Sequence, residues 1–296
     1  MPSTDELTKR VLGLRGPIAF VEGTPFLFKE TDKIPFRQWA HFTVSGTVGR
    51  ALKSEYADVD FELVLHTLEQ LQSFADARWN PDMLDNFRPV LVTFADIFDR
   101  YKFLLSPGLL VEARKAVILA IADSIIARTI NCGGSARGAQ QLGQLVQALE
   151  PRFSLSAFTL NYDELIDQAL SSWFDGFESP SALQGTAQAF NATKFVNGIH
   201  SAPNVLIHLH GSVRFGYSRG VFGLVKHDTA TEAYDSIENV GVSDQVASQQ
   251  IVSLSPIISG LNKIAKLLQN PSPFGYYYRA FVDSMLITPR LLIVGY

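Results

Sequence analysis

Cysteine is almost missing from this sequence. Cys132 is the single cysteine among 296 residues. One thiol excludes an internal disulfide bond and any zinc site that is built from several cysteines. A cysteine content this low is typical of a reducing compartment, and we therefore predict a cytoplasmic protein.

Clusters of positive charge and long apolar runs are also lacking. The formal net charge is −4, and no basic run is longer than Arg114-Lys115. We therefore expect neither direct nucleic-acid binding nor attraction to an anionic membrane. The apolar segment Ala116–Ala122 is too short to span a bilayer, and residues 1–10 lack the apolar core of a signal peptide, so no membrane role is expected.

Apolar residues, in contrast, are abundant. They make up 47% of the chain, with 21 Phe, while charged residues make up 18%. This composition is typical of a well-packed globular protein. The length exceeds the roughly 100–150 residues that are most common for one domain, which favours a single large α/β domain or one with an inserted subdomain.

The hydrophobic pattern changes abruptly at Asn161. Residues 153–160 form a short apolar run typical of a buried strand, whereas apolar residues recur at helical spacing over residues 162–174. Asn161 is thus predicted at the carboxyl end of a strand, the edge where ligands bind in open α/β sheets. With Glu164 three residues later, Asn161 is also suited to cap the predicted helix, and both roles stay open.

Three further apolar runs end in small or polar turn residues. They cover residues 18–21, 204–210 and 290–295, and we predict that they lie parallel with residues 153–160 in one sheet. The expected fold is α/β, a Rossmann-like parallel sheet with helices on both faces. Such a sheet gathers the residues that follow each strand at one edge.

Residues 58–150 show helical patterns without intervening strands, and we interpret them as a helical insertion. The sheet domain would then comprise residues 1–57 and 151–296. Residues 26–57 are predicted to be irregular. Ser45–Gly49 contains two glycines but follows no strand, so we interpret it as a turn and not as a phosphate-binding loop.

Two histidines, His208 and His210, lie two residues apart near the end of the run 204–210. Residues at this spacing share a face of a strand, as two metal ligands would. A zinc site needs at least a third protein ligand, and the sequence offers no obvious one. We therefore predict no metal and interpret His208 as a structural histidine.

Four strand-and-turn motifs follow one another along the chain: IAFVEGTP, FTLNYDELID, NVLIHLHGS and RLLIVGY. In this order, they are similar to the motifs of a SIR2-like domain of the bacterial antiphage-defence type, a relative of the sirtuins. The resemblance covers most of the chain, and PIISG and YYYRAF before the last motif add to it. Because the chain ends where a core strand emerges, we expect the full-length protein to continue beyond Tyr296.

The resemblance implies an NAD+ glycohydrolase that cleaves NAD+ to nicotinamide and ADP-ribose, with NAD+ as substrate and no metal. Asn161 and His210 match the catalytic positions of the family. The absence of a four-cysteine zinc ribbon argues against deacetylation. Residues expected to contact NAD+ are Gly23, Thr24, Thr159, Asp163, Gly211, Ser212, Gly295 and Tyr296.

The resemblance also implies a role as the effector of antiphage defence. The implied partners are further copies of the chain, in a homo-oligomer, or a defence partner or trigger protein in a hetero-complex. Asp163 would bind the nicotinamide carboxamide or stabilise the oxocarbenium-like cation that forms on the ribose when nicotinamide leaves. Its carboxylate also suits the start of the predicted helix. Neither role is excluded by the sequence.

One motif departs from the family pattern. Glu22-Gly23-Thr24-Pro25 replaces the usual Gly-Ala-Gly-x-Ser turn and brings a negative charge and a proline to the expected pyrophosphate site. Proline offers no N–H donor, and close backbone approach to a phosphate favours glycine. The alternative function is therefore a catalytically silent module that binds NAD+, an ADP-ribose-like nucleotide or a protein partner.

Overall fold

A computed structural model gives the fold of the chain. It describes residues 46–55, 61–79, 107–132, 137–170, 172–178, 187–218, 223–239, 256–258, 271–288 and 290–294. The chain divides into two compact units, Met1–Ser124 and Ile125–Tyr296.

Helices form the described part of the first unit. Helix α1 spans Gly46–Glu55 and packs against α2, Phe61–Trp79, and α3 begins at Pro107 and ends at Cys132 in the second unit. The helices predicted at the positions of α2 and α3 are confirmed. The prediction of irregular chain over 26–57 is wrong at α1, where packing against α2 outweighs the low helix propensity of glycine.

The core of the first unit follows the helical period. In α2 the buried residues Phe61, Val64, Leu65 and Leu68 recur three and four positions apart. Burial of each such side chain contributes about 1.5–3 kcal/mol to folding. None of the helices in the described ranges is long and apolar enough to cross a membrane.

The second unit contains a parallel pair of strands. After helix α4, Arg137–Leu149, strand β1, Leu155–Thr159, pairs in parallel with β4, Asn204–His208. Val205, Leu206 and Ile207 of β4 are at most 1% exposed. The predictions of these two strands and of their parallel pairing are confirmed.

The second unit also contains a separate antiparallel sheet, two strands of which lie between β1 and β4 in the sequence. The remaining strands and α-helices are β2 Phe177–Glu178, β3 Gln188–Phe190, α5 Ala192–Gly198, β5 Phe215–Gly216, β6 Val225–Lys226, α6 Ala230–Asn239 and α7 Tyr276–Ile287. The strand order of the antiparallel sheet is β2-β3-β6-β5. The α7 residue Phe281 packs edge-on against Phe158 of β1, with ring centroids 5.2 Å apart.

The helix predicted to begin at Asn161 is wrong. Turns lead instead into a single 3-10 turn, Asp167–Ala169, and the chain then returns to the sheet. Phe174 forms a parallel bridge with Val205 and exchanges backbone hydrogen bonds of 2.9 and 3.1 Å with β4. The aromatic end of the apparent helical stripe is therefore held by strand pairing.

The strand predicted over 290–295 is also wrong in the residues that the structure describes. Residues 290–294 form no strand, and Leu291–Val294 are 60–69% exposed. An apolar run becomes a strand only where a neighbouring edge accepts its hydrogen bonds. Residues 18–21 lie outside the described ranges, and the full Rossmann-like sheet with helices on both faces stays a prediction.

Candidate functional site

Two chain segments meet where β1 and β4 end. Thr159 is paired with His208 in the strand register, and its carbonyl oxygen accepts a 2.9 Å hydrogen bond from the Leu209 N–H. The Val213 N–H donates to the Tyr162 carbonyl oxygen, also at 2.9 Å. Residues 159–163 and 208–213 are thus linked side by side, and Asn161 and His210 lie within them.

The backbone of Asn161 is held on both sides of its α carbon. Its N–H donates to Thr159 Oγ1 at 3.1 Å, and its carbonyl oxygen lies 3.3 Å from His208 Nδ1. The residue is exposed, and among the described residues its side-chain amide makes no hydrogen bond. The cap interpretation fails here, because no α-helix begins at Asn161 and the Glu164 carboxylate lies 3.4 Å from Arg214 Nε.

His210 is half-buried and stands beside Tyr162, with ring centroids 6.4 Å apart. The His210 carbonyl oxygen accepts a 2.8 Å hydrogen bond from the Ile258 N–H. Tyr162 Oη donates to the Ile258 carbonyl oxygen at 3.4 Å. Ile258 therefore contacts both the backbone of His210 and the hydroxyl group of Tyr162.

Gly211 is required by the turn that follows His210. Its φ is +94°, a conformation that side chains with a Cβ rarely adopt, and an added Cβ would collide with the Pro256 carbonyl oxygen. The Gly211 N–H donates to the His208 carbonyl oxygen at 3.1 Å. The Gly211 N–H is therefore already used inside the turn and is not free to bind a nucleotide.

Asp163 is 6% exposed, and only one of its two carboxylate oxygens is hydrogen-bonded among the described residues. Oδ1 accepts a 3.0 Å hydrogen bond from the Leu165 N–H, while Oδ2 is buried and has no partner in the described part of the chain. Burial raises the pKa of this carboxyl, and the Leu165 hydrogen bond and nearby His208 oppose that rise. Because no α-helix begins here, Asp163 does not stabilise the start of a helix. Its Oδ2 atom is a buried acceptor without a partner among the described residues.

The remaining predicted contacts fall into two groups. Thr159 Oγ1 is used by the Asn161 N–H, and Ser212 is 1% exposed, with its Oγ accepting from the Arg214 N–H at 3.2 Å. Both side chains therefore shape the turns. The other predicted contacts lie outside the described residues: Gly23, Thr24, Gly295 and Tyr296.

A buried row of charges beneath this edge was not predicted from the sequence. His208 Nε2 lies 2.9 Å from Asp167 Oδ2, and Lys226 Nζ lies 3.6 Å from Asp167 Oδ1 and 2.5 Å from Asp175 Oδ2. Burial alone would favour neutral Asp167, but the His208 hydrogen bond and the charges of His208 and Lys226 lower its pKa from 3.8 to about 2. Asp167 is therefore an ionised carboxylate at neutral pH.

No local signal marks this row. Asp167 lies in the segment predicted as a helix, and Lys226 lies where the sequence shows few clear periods. The interpretation of His208 as a structural histidine agrees with its 3% exposure. Within the described ranges, no group of three or more His, Cys, Asp and Glu residues is arranged to hold a metal ion.

Comparison of the chain with protein-family models, curated proteins and solved structures found no match.

Proposed function

We propose that the chain carries a SIR2-like NAD+ glycohydrolase site in which Asn161 and His210 are the catalytic residues. One observation carries the proposal. Asn161 and His210 follow adjoining parallel strands, both have hydrogen-bonded backbones, and the Asn161 amide is exposed and uncommitted among the described residues. An anchored backbone with an available side chain is what positioning of a water or a ribose requires.

The proposed reaction adds water to NAD+. The bond between the nicotinamide nitrogen and the ribose carbon breaks, its electron pair leaves with nicotinamide, and the ribose carbon passes through an oxocarbenium-like centre. Asn161 orients the attacking water or the ribose hydroxyls, and His210 accepts the proton that the water or ribose loses. Histidine suits this role because an ordinary imidazole changes its charge near neutral pH.

Asp163 is assigned to the nicotinamide end of the substrate. Its buried Oδ2 is an acceptor without a partner among the described residues, and the carboxamide of nicotinamide carries two N–H donors. An unsatisfied buried acceptor costs about 1–3 kcal/mol, which a bound carboxamide would offset. Substrate binding would thereby satisfy a group that the protein leaves unpaired.

A catalytically silent module that binds NAD+, an ADP-ribose-like nucleotide or a protein partner is the second candidate. It is favoured by the use of Thr159 Oγ1 and the Gly211 N–H inside the protein, and by Glu22 and Pro25 in the motif expected at the pyrophosphate. In either case we propose a cytoplasmic role in antiphage defence, with further copies or a trigger protein as partners. That setting rests on the family resemblance alone.

Nicotinamide release separates the two candidates. The full-length protein, with its activating partner, is incubated with NAD+, and nicotinamide is quantified by chromatography. Release is expected from the wild type and from His200→Ala, a control at an exposed histidine, but not from His210→Ala. Binding of NAD+ without release from an active assembly would favour the silent module.

A further inference from the structure

His208 has an acceptor at each ring nitrogen. Nδ1 lies 3.3 Å from the Asn161 carbonyl oxygen, and Nε2 lies 2.9 Å from Asp167 Oδ2. A carbonyl oxygen and an ionised carboxylate both accept hydrogen bonds and cannot donate them. Both contacts are hydrogen bonds only if each ring nitrogen carries a proton, that is, if His208 is an imidazolium.

The charges around His208 agree with this protonation state. Asp167 faces the ring, and Lys226 joins Asp167 to Asp175, so an imidazolium at His208 would complete a row in which two cations alternate with two carboxylates. Side chains in this row are at most 13% exposed, which leaves little water to compensate an unpaired charge. The other charged groups that act on this row are Asp163, Glu164 and Arg214.

We propose that His208 is a positioning residue whose imidazolium, held by Asp167, fixes the Asn161 carbonyl and thereby aims the Asn161 amide. The inference rests on the proposed function for its catalytic consequence and on the two ring contacts for its geometry. The Asn161 backbone is hydrogen-bonded on each side: its N–H donates to Thr159 Oγ1, and its carbonyl oxygen accepts from the His208 ring. Loss of the His208 contact would free the peptide group that joins Asn161 to Tyr162.

A purely structural side chain at this position would not need a charge. Val205, Leu206 and Ile207 fill the preceding positions of β4 with buried apolar groups, and an apolar residue at 208 would continue that pattern. Buried ion pairs are often no more stabilising than apolar residues of similar volume. The proposal accounts for the charge by its role: through His208, the row holds the backbone of Asn161 in place.

The protonation state is tested first on the wild-type chain. Selective 15N-histidine labelling gives ring signals for six histidines, and His208→Gln identifies those of His208. At pH 7 we expect both His208 ring nitrogens to show directly bonded protons. A neutral ring with one bare nitrogen would overturn the proposal, and this result needs neither NAD+ nor catalysis.

The kinetic test uses Asp167→Asn and His208→Gln in the full-length active assembly. Because misplacement of a catalytic group by about 1 Å costs up to roughly 100-fold, we expect kcat to fall about 10- to 100-fold. KM for NAD+ should change by less than about twofold, because the lost contact acts in the transition state. Asp283→Asn, a matched change at the exposed Arg279–Asp283 pair, should retain wild-type kcat.

The outcomes are distinguishable. A folded His208→Gln or Asp167→Asn variant with wild-type kcat overturns the positioning role. If the wild type releases no nicotinamide, the proposed function fails, and the carbonyl 13C signal of Asn161 then decides the geometric part. A shift of that signal in Asp167→Asn but not in Asp283→Asn supports the coupling, and an unchanged signal overturns it.

Discussion

Replacement of Asp167 by asparagine tests the buried charge row through stability. The variant keeps the shape of the side chain and an acceptor for His208 but removes the charge that faces both His208 and Lys226. The pKa of Asp167 is lowered from 3.8 to about 2. At 1.36 kcal/mol for each pKa unit, this difference corresponds to about 2 kcal/mol of stability at neutral pH.

The sign of the pH dependence follows from the lowered pKa. Asp167 binds its proton less tightly in the folded chain, so its contribution is fully present above pH 3.8 and is lost as the pH falls through about 2. Urea unfolding of the wild type and Asp167→Asn at a series of pH values should give a difference of about 2 kcal/mol at pH 7 that shrinks below pH 4.

The control for this experiment is Asp283→Asn. Its partner, Arg279, is 79% exposed, and exposed pairs of this kind contribute little to stability. If Asp167→Asn costs no more than Asp283→Asn, or if its cost does not decline with pH, the assignment of Asp167 as a buried paired carboxylate is refuted.

Three further predictions concern the turns around the site. Gly211→Ala should lose on the order of 1–3 kcal/mol in thermal unfolding because of its positive φ, whereas Gly143→Ala, in open space on α4, should not be destabilised; equal stability of the two variants would contradict the strained turn. Asp163→Asn should retain or gain stability, because burial raises the pKa of the Asp163 carboxyl and so disfavours its ionised form. The variant should nevertheless lose nicotinamide release, and wild-type turnover would exclude the carboxamide-binding role. Joint Glu22→Gly and Pro25→Gly replacement should tighten NAD+ binding in calorimetry, and unchanged affinity would mean that the pyrophosphate lies elsewhere.

The local sequence pattern was sufficient to predict elements that are defined by the spacing of their own apolar residues. Helix α2 and the strands β1 and β4 follow from periods of 3.6 residues and from short apolar runs. The edge that joins Asn161 to His210 follows in turn, because parallel strands end at the same side of a sheet.

Local pattern failed where a distant partner decides the structure. Phe174 completes a helical stripe in the sequence, but its backbone bonds to β4, 30 and more residues later, and the helix is replaced by turns. Leu291–Val294 is as apolar as a core strand and remains exposed. Asp167 is paired with His208 and Lys226, and both partners lie in strands that no local sequence pattern connects to Asp167.

The central claim is that the Asn161 amide takes part in the reaction, and Asn161→Asp tests it most directly. The exposed side chain makes no hydrogen bond among the described residues, so the substitution should leave the melting temperature unchanged. A carboxylate cannot donate a hydrogen bond to water or ribose, and loss of one such donor costs about 100- to 1000-fold in kcat. We therefore predict a normally folded variant whose nicotinamide release in the active full-length assembly falls by at least about 100-fold. Wild-type turnover by Asn161→Asp would contradict the account.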